Sequence, residues 1–213
     1  MTEKAIATGE FVAQHIEPRN GQQTLNGEIP DERIQPNGVD LTVGEIFRTS
    51  GSAVFSESGY DKPNRTKLTP YDGYYRLYTG QYPIVYGEKI EIPDGYVGRV
   101  YPRSRLMRSG LHLTSALWDQ GYEGIGEGLL RVPQAINHIK VADGLPIAQM
   151  TFISAEGADD YDGSHQEERL VEETGGIEEQ KESNGGGLMV PEGLSAPVSC
   201  LLSRGNADKG FWV

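Results

Sequence analysis

Residues Tyr101 to Val132 read YPRSRLMRSGLHLTSALWDQGYEGIGEGLLRV. This stretch contains the residues that best indicate the fold and the function of the chain. Its basic and hydroxyl side chains lie close together in the sequence: Arg103, Ser104, Arg105 and Arg108. Asp119 and Tyr122 follow on a predicted turn that contains Gly121. In a chain of formal net charge −12, this local basic cluster predicts a binding site for an anion.

The composition favours an all-β body. The 213 residues include 28 Gly and 12 Pro, and short runs of β-branched and aromatic residues alternate with turn residues. The length suffices for one domain with a hydrophobic core, or for one domain with an appended tail. A net charge of −12 would repel nucleic acids and anionic membranes, so we expect neither among the partners. The acidic surface is also compatible with a salty cytoplasm.

The predicted strands recur at short intervals, which indicates a barrel or a jelly-roll-like sandwich. They are Ile34–Gly44, Tyr74–Val85, Lys89–Ile92, Tyr96–Tyr101, Ala135–Val141 and Pro146–Ile153. In the first strand, Val39, Leu41 and Val43 alternate with polar residues, a pattern typical of a half-buried strand. Asp40 then lies on the opposite face, as a solvated carboxylate or as part of a site. Residues 49–70 are polar and are expected to form an exposed insertion, whereas 5–16 fit a helix or an edge strand.

The carboxyl-terminal part of the chain differs in composition from the rest. We predict a β domain over residues 1–155, an acidic, Gly-rich arm over 156–187, and an apolar tail over 188–213. The tail is expected to dock on the body or on another subunit, and it is the candidate contact for a further protein partner. One cysteine, Cys200, excludes an internal disulfide.

The sequence predicts a cytoplasmic protein, or a component of a particle assembled inside the cell. No apolar run approaches the roughly 20 residues that a membrane helix needs. The first residues, MTEKAIATGE, contain no apolar signal core.

The residue types of the central stretch suit a phosphate ligand. Guanidinium groups form planar, charge-assisted hydrogen bonds to phosphate oxygens, and Arg103 and Ser104 follow the turn residue Pro102. Asp119 has the chemistry to orient and deprotonate a water molecule. The same side chains are also compatible with an ordinary ion-pair network. The four histidines are scattered, so we expect no histidine-based metal site.

Four segments resemble, in order, the motifs of the trimeric dUTPase and dCTP deaminase superfamily. They are IQPNGVDLTVG at Ile34–Gly44, PRSRL at Pro102–Leu106, WDQGYEG at Trp118–Gly124 and GLPIAQMTF at Gly144–Phe152. The second and third are most similar to the archaeal dUTPase branch, whose sequences resemble deaminases but which hydrolyses dUTP. The resemblance implies a distorted jelly-roll or β-barrel of the trimeric dUTPase type, with short helical pieces and an extended carboxyl-terminal arm.

The resemblance also implies a role for each matching residue. Asp119 would hold the water that attacks the α-phosphorus of dUTP, and Tyr122 would pack beneath the deoxyribose. Uracil would be read by backbone groups around Thr114 to Trp118, in a cleft shared between the subunits of a homotrimer. Mg²⁺ would be the cofactor, bound through the substrate phosphates. The remaining implied contacts are Arg103, Ser104 and Gln149 to the phosphates, Asp40 to the Mg²⁺-triphosphate, and Arg108 near the base.

Three features depart from the family pattern. Deaminases carry a proton-shuttling glutamate where this chain has Leu129, and Glu127, on the same strand face, is the candidate for a displaced shuttle. Trimeric dUTPases usually have an asparagine in the uracil hairpin, where this chain has Thr114. The family's site-closing segment has a loose counterpart in YDGSHQ at Tyr161–Gln166 and a looser one in RGNADKGF at Arg204–Phe211.

The sequence therefore predicts a dUTP diphosphatase that hydrolyses dUTP to dUMP and pyrophosphate with Mg²⁺. The alternative hypothesis is a non-catalytic trimer that reuses this fold as a structural or assembly module, for example in a virion. A dCTP deaminase, or a bifunctional deaminase and hydrolase, is the third hypothesis.

Overall fold

The computed structural model describes residues 5–19, 28–57, 59–156 and 159–170. Two short helices, α1 Gly9–Ala13 and α2 Ser104–Arg108, and one 3₁₀ turn, Asp31–Arg33, accompany the strands. The strands are β1 Ile16–Pro18, β2 Ile34–Gln35, β3 Gly38–Ser50, β4 Val54–Ser56, β5 Gly59–Asp61, β6 Asn64–Lys67, β7 Tyr74–Tyr78, β8 Gly80–Tyr86, β9 Glu88–Glu91, β10 Tyr96–Pro102, β11 His112–Thr114, β12 Glu123–Gly124, β13 Glu127–Val132, β14 His138–Ala142 and β15 Pro146–Ser154. The predicted all-β class is confirmed.

Antiparallel pairing builds one large sheet and three smaller ones from these strands. The large sheet has the order β10-β15-β3-β8-β13-β11, and β2 and β6 pair along β3. A second sheet has the order β1-β9-β12, and β14-β7 and β4-β5 form two-stranded pairs. Strands distant in sequence are neighbours in the large sheet, as in a jelly roll, so residues from four different segments can meet beside β3.

The long strand β3 lies at the centre of the large sheet. Its first half, residues 38–43, is buried on both faces, so the prediction of a half-buried strand was wrong. Asp40 is 1% exposed, which rules out the solvated carboxylate. Strands β15 and β8 lie beside β3 in the same sheet, and helix α1, the 3₁₀ turn and β9 also contact it, so its buried polar residues need internal partners.

The structures of residues 5–16 and 49–70 can be compared with what their sequences predict. Residues 5–16 contain both predicted alternatives, because Ile6 bridges to Ile153 and the helix α1 follows. The insertion 49–70 is largely exposed, as predicted, and contains strands β4, β5 and β6. Strand β6 pairs with the end of β3, with Arg65 opposite Thr49. The insertion is therefore fixed to the body along one edge.

A buried ion network connects the two larger sheets. The Glu88 side chain is fully buried on β9, where it accepts hydrogen bonds from Arg33, from the Thr42 backbone N–H at 2.9 Å and from the Thr42 hydroxyl at 2.7 Å. Arg33 also donates to the carbonyl oxygen of Asp40, at 2.9 Å from Nε and 2.6 Å from Nη2. Burial raises the pKa of Glu88, and the charge of Arg33 and the Thr42 hydrogen bonds oppose that shift.

The predicted division at residues 155 and 187 remains a prediction, because 171–213, including Cys200, lie outside the described residues. The described part of the arm contacts the body: the Tyr161 N–H donates to the Gln120 carbonyl at 2.7 Å, and the Glu167 N–H to the Glu123 carbonyl at 2.8 Å. Over the described ranges, no helix has the length and hydropathy needed to cross a membrane.

We predict that Glu88→Ala lowers the free energy of unfolding by about 3–5 kcal/mol, because the substitution leaves the guanidinium of Arg33 buried without its carboxylate. Glu91→Ala is the matched control, since Glu91 lies on the same strand with its side chain exposed. The control should change the free energy by no more than about 0.5 kcal/mol. Urea unfolding monitored by circular dichroism measures both. Equal effects of the two substitutions would contradict a structural role for the network.

Candidate active site

The turn after β11 presents Asp119 to solvent. The Tyr122 N–H donates to the Asp119 carbonyl at 3.2 Å, and Gly121 adopts a φ of 76°, a left-handed conformation that favours glycine. The Gly121 N–H is anchored to the carbonyl of Ile92 at 2.9 Å. The turn predicted from the sequence is therefore present, and it holds the Asp119 carboxylate exposed at the protein surface.

The hairpin that carries Trp118 is tied to strand β10. Trp118 and Gly98 exchange two backbone hydrogen bonds, of 2.7 and 3.1 Å. The indole Nε1 donates to the Ser115 hydroxyl at 2.9 Å, and the ring meets that of Tyr122 edge-on at 5.0 Å between centroids. These contacts fix the backbone around Thr114 and the orientation of the Tyr122 ring.

The glycines of residues 124–128 make room for aromatic rings. A Cβ atom at Gly126 would lie 2.3 Å from the Trp118 ring, and one at Gly128 would lie 2.3 Å from the Tyr86 hydroxyl. No side chain larger than hydrogen fits at either position without displacing a buried ring. The Gly-rich run is therefore a packing surface for Trp118 and Tyr86.

A cavity of about 560 Å³ opens beside the turn and the hairpin. Thr114, Asp119, Tyr122 and Leu129 line it, and its volume is in the range of small-ligand sites. The Asp119 carboxylate makes no hydrogen bond or ion pair with another side chain in the described part of the chain. It is therefore open to a water molecule or a ligand.

Glu127 also lines the cavity, but two arginines bind its carboxylate. Arg65 donates two hydrogen bonds to it, of 2.7 and 2.8 Å, and Arg169 donates a third of 2.9 Å. Burial alone would raise the pKa of Glu127, but the hydrogen bonds and charge of Arg65, with the charges of Arg169 and His165, hold it below its ordinary value. Glu127 is thus a fixed anion within an ion-pair network.

The start of the predicted arm packs against the Asp119 turn. Within Tyr161–Gln166, the Tyr161 ring meets Tyr122 at 5.9 Å between centroids, and the Gln166 side chain donates to the Gly121 carbonyl at 2.9 Å. The Tyr122 hydroxyl donates to Glu168 at 2.9 Å. Burial, the charge of Glu168 and this hydrogen bond raise the pKa of Tyr122. The loose counterpart of the closing segment therefore forms part of the cavity.

The phosphate-binding candidates form a second cluster around Asp40. Arg103 Nη1 lies 3.0 Å from Asp40 Oδ2, and Gln35 donates to the same oxygen at 3.2 Å. Gln149 is paired with Asp40 across β15 and β3. Burial raises the pKa of Asp40, and the charges of Arg103 and Arg33 and the Gln35 hydrogen bond oppose the shift. Ser104 and Arg108 lie at the two ends of α2, with exposed side chains.

One chain presents the predicted site residues as two separate groups. Thr114, Asp119 and Tyr122 line the cavity, and none of the phosphate-binding candidates does. Those candidates are Asp40, Arg103, Ser104, Arg108 and Gln149. A ligand bound in the cavity of one chain therefore does not contact Arg103 of the same chain there.

Asp40 does not fit a direct metal ligand. Its Oδ2 already accepts from Arg103 and Gln35, and the residue is 1% exposed. Across the described ranges, no group of three His, Cys, Asp or Glu side chains has the arrangement of a metal site. Binding of Mg²⁺ through the phosphates of a nucleotide remains a prediction.

Sequence reasoning missed the side chains that the insertion and the arm contribute to the cavity. They are Tyr60, Lys62 and Arg65 from the insertion, and Glu168 and Arg169 from the part of the arm beyond Gln166. One signal was available in the insertion, where Lys62, Arg65 and Lys67 form a basic cluster in a strongly acidic chain. The arm gave no such signal, because its cations are interspersed among many carboxylates.

Comparison with known proteins places this arrangement in a family. A family model described as dCTP deaminase-like matches residues 6–155. A probable deoxyuridine 5′-triphosphate nucleotidohydrolase of Halobacterium salinarum is 39% identical, over 76% of this chain and 93% of the relative. A deoxyuridine 5′-triphosphate nucleotidohydrolase of Methanocaldococcus jannaschii is 36% identical, over 63% of this chain and 86% of the relative.

A solved structure has the same fold. The crystal structure of 2′-deoxycytidine 5′-triphosphate deaminase from Agrobacterium tumefaciens matches with a TM-score of 0.53 at 17% identity. The match covers 71% of this chain and 47% of the deaminase chain, so this chain spans about half of that protein. The likeness concerns the fold alone, whereas the family model and the sequence relatives establish that the chain belongs to the dCTP deaminase-like family.

Proposed function

We propose that this chain is a dUTP diphosphatase, which hydrolyses Mg²⁺-bound dUTP to dUMP and pyrophosphate. The observation that supports it best is the exposed carboxylate of Asp119, which has no side-chain partner among the described residues and lies beside a nucleotide-sized cavity. The archaeal relatives, whose names describe deoxyuridine 5′-triphosphate nucleotidohydrolases, support the same assignment.

In this proposal Asp119 is the general base. Its carboxylate accepts a proton from a water molecule while the water oxygen forms a bond to the α-phosphorus. The bond between the α-phosphorus and the oxygen bridging to the β-phosphorus breaks, and pyrophosphate leaves with the electron pair. The Tyr122 ring, fixed by Trp118 and Glu168, forms a flat surface beneath the deoxyribose.

The phosphate cluster would hold the triphosphate in line for this attack. Arg103 presents a guanidinium that Asp40 orients, and Gln149 and Ser104 add neutral donors beside it. Mg²⁺ bound to the substrate phosphates would neutralise part of their negative charge. Asp40 would thus act through Arg103, as a positioning residue. Arg108, at the other end of α2, remains the candidate contact near the base.

We further propose that the active unit is a homotrimer whose sites lie between subunits. The cavity and the phosphate cluster are separate on one chain, so a complete site requires the cavity of one subunit and the cluster of a neighbour. A cyclic arrangement repeats this contact three times and leaves no site unpaired.

The ion pairs of Glu127 argue against deamination. A proton shuttle needs a pKa near the working pH and a lone pair that is free to accept a proton. Two arginines bind the Glu127 carboxylate, and its pKa is lowered. Leu129, at the position of the deaminase glutamate, has no group that can transfer a proton. The alternative, a non-catalytic assembly module, predicts an empty or occluded site and a tail docked on another chain, and that tail lies outside the described residues.

We predict that Asp119→Asn lowers kcat for dUTP by about a hundredfold or more, because the amide cannot accept the proton of the attacking water. Asp94→Asn, the same exchange on an exposed turn, is the control and should retain wild-type activity. Pyrophosphate release with Mg²⁺ measures both. Wild-type protein that releases no more pyrophosphate than Asp119→Asn would refute the enzymatic function.

A subunit-mixing experiment tests the shared site. Asp119→Asn and Arg103→Gln should each be inactive alone, and mass measurement should give three times the 23.3 kDa of the chain. Trimers co-assembled from equal amounts should recover about a quarter of wild-type activity, because one site in four pairs an intact cavity with an intact cluster. No recovery in verified mixed trimers would place both halves of the site on one chain.

We predict that the wild-type protein releases no ammonia from dCTP above the level of the Asp119→Asn variant, because Glu127 is held ionised by Arg65 and Arg169. An enzyme-coupled ammonia assay at neutral pH measures this. Ammonia release that Glu127→Gln abolishes would instead support the displaced shuttle and a bifunctional enzyme.

A further inference from the structure

The exposed insertion contributes a wall to the cavity, and we propose that its Lys62 binds the phosphate chain of the substrate. The inference rests on the proposed function, because it names a binding residue for the same nucleotide. Tyr60, Lys62 and Arg65 all line the cavity, on the side formed by β5 and β6. Neither the sequence motifs nor the family resemblance assigns a role to any of them.

The wall is held in place at three points. Strand β6 pairs with β3 from Asn64 to Lys67. Lys67 forms an ion pair with Glu45 at 2.8 Å, and Arg65 binds Glu127 through two hydrogen bonds. Two hydrogen bonds to one carboxylate fix both the orientation of the Arg65 guanidinium and its distance from Glu127. The segment that carries Lys62 is therefore fixed beside the cavity at its carboxyl-terminal end.

An aromatic pair stiffens the other end of the segment. The rings of Phe55 and Tyr60 stack at 4.6 Å between centroids, with an angle of 11° between their planes. They join β4 to β5, which pair from Val54 to Asp61. Lys62 follows directly, and Pro63 restricts the backbone between the two strands. The position of the Lys62 backbone is thus constrained from both sides.

The charges that line the cavity leave Lys62 available for a ligand. Glu127 is bound by Arg65 and Arg169, and Glu168 is bound by Arg169 at 2.8 Å. Among the described residues that line the cavity, the ammonium of Lys62 and the carboxylate of Asp119 are charged groups without a hydrogen bond or ion pair. Asp119 is assigned to the water, so Lys62 remains as a cation that an anionic ligand can bind.

The ammonium group of Lys62 is better suited to bind the phosphates of the nucleotide than its base or its sugar. An ammonium offers three donors and no acceptor, and it attracts a phosphate through charge over several ångströms. Uracil and deoxyribose are neutral, and a charged donor gains less from them. Binding of a phosphate by Lys62 would also offset the repulsion between Asp119 and the incoming triphosphate, which matters in a chain of net charge −12.

The experiment compares Lys62→Met with Lys140→Met, the same exchange at an exposed lysine on β14 that does not line the cavity. Kd for Mg²⁺-dUTP is measured by calorimetry with Asp119→Asn present in every protein, so that no substrate is consumed. Deoxyuridine, which lacks phosphate, is measured as an inhibitor of dUTP hydrolysis with Asp119 intact. Lys62→Arg, which keeps the positive charge, completes the set.

We expect Lys62→Met to weaken dUTP binding about tenfold, the effect of one charge-assisted hydrogen bond, and to leave inhibition by deoxyuridine unchanged. Lys62→Arg should retain most of the affinity, and Lys140→Met all of it. The proposal is overturned if Lys62→Met leaves the Kd for dUTP unchanged, or if it weakens dUTP and deoxyuridine equally. Wild-type protein that neither binds nor hydrolyses dUTP would refute the proposed function itself.

Discussion

The position of the phosphate cluster depends on one buried carboxylate, that of Glu88. A fully buried charge is costly unless its hydrogen-bonding capacity is satisfied, and Arg33 and Thr42 satisfy it here. Arg33 then has donors left over, and it uses them on the carbonyl oxygen of Asp40. The carboxylate of Asp40 in turn binds Arg103. Polar contacts therefore run from the interior, through β3, to Arg103, the arginine that we propose binds the phosphates, and they restrain its orientation from the core.

The cavity is built on a different principle, the fit of aromatic rings against glycine. Trp118 packs on Gly126, and Tyr122 is held edge-on by Trp118 and by the hydrogen bond to Glu168. Rings that are buried in this way have few alternative orientations, so ring packing restrains this side of the cavity. Such restraint matters for the proposed mechanism, in which the sugar, and with it the α-phosphorus, must stay at a fixed distance from the water that Asp119 activates.

The sequence predicted those features that depend on neighbouring residues in the chain. The turn at Gly121, most strand positions and the motif residues follow from local patterns, and the structure has them. The burial of Asp40 could not be predicted in this way, because Arg103, which contacts its carboxylate, is far from it in the sequence. Arg65 was missed for the same reason, since it binds Glu127 across 62 positions of sequence. An exposed, polar insertion has no hydrophobic period that would reveal such a contact.

Glu127 illustrates why position alone does not assign a role to a carboxylate. It lies on the same strand face as Leu129, two residues away, so geometry along the strand permits a displaced proton shuttle. Its surroundings oppose that role, because two guanidinium groups stabilise the ionised form and occupy both carboxylate oxygens. Asp119 lines the same cavity with no such partners among the described residues. Of the two carboxylates, only the one left free by its neighbours can exchange a proton with water, and this favours hydrolysis over deamination.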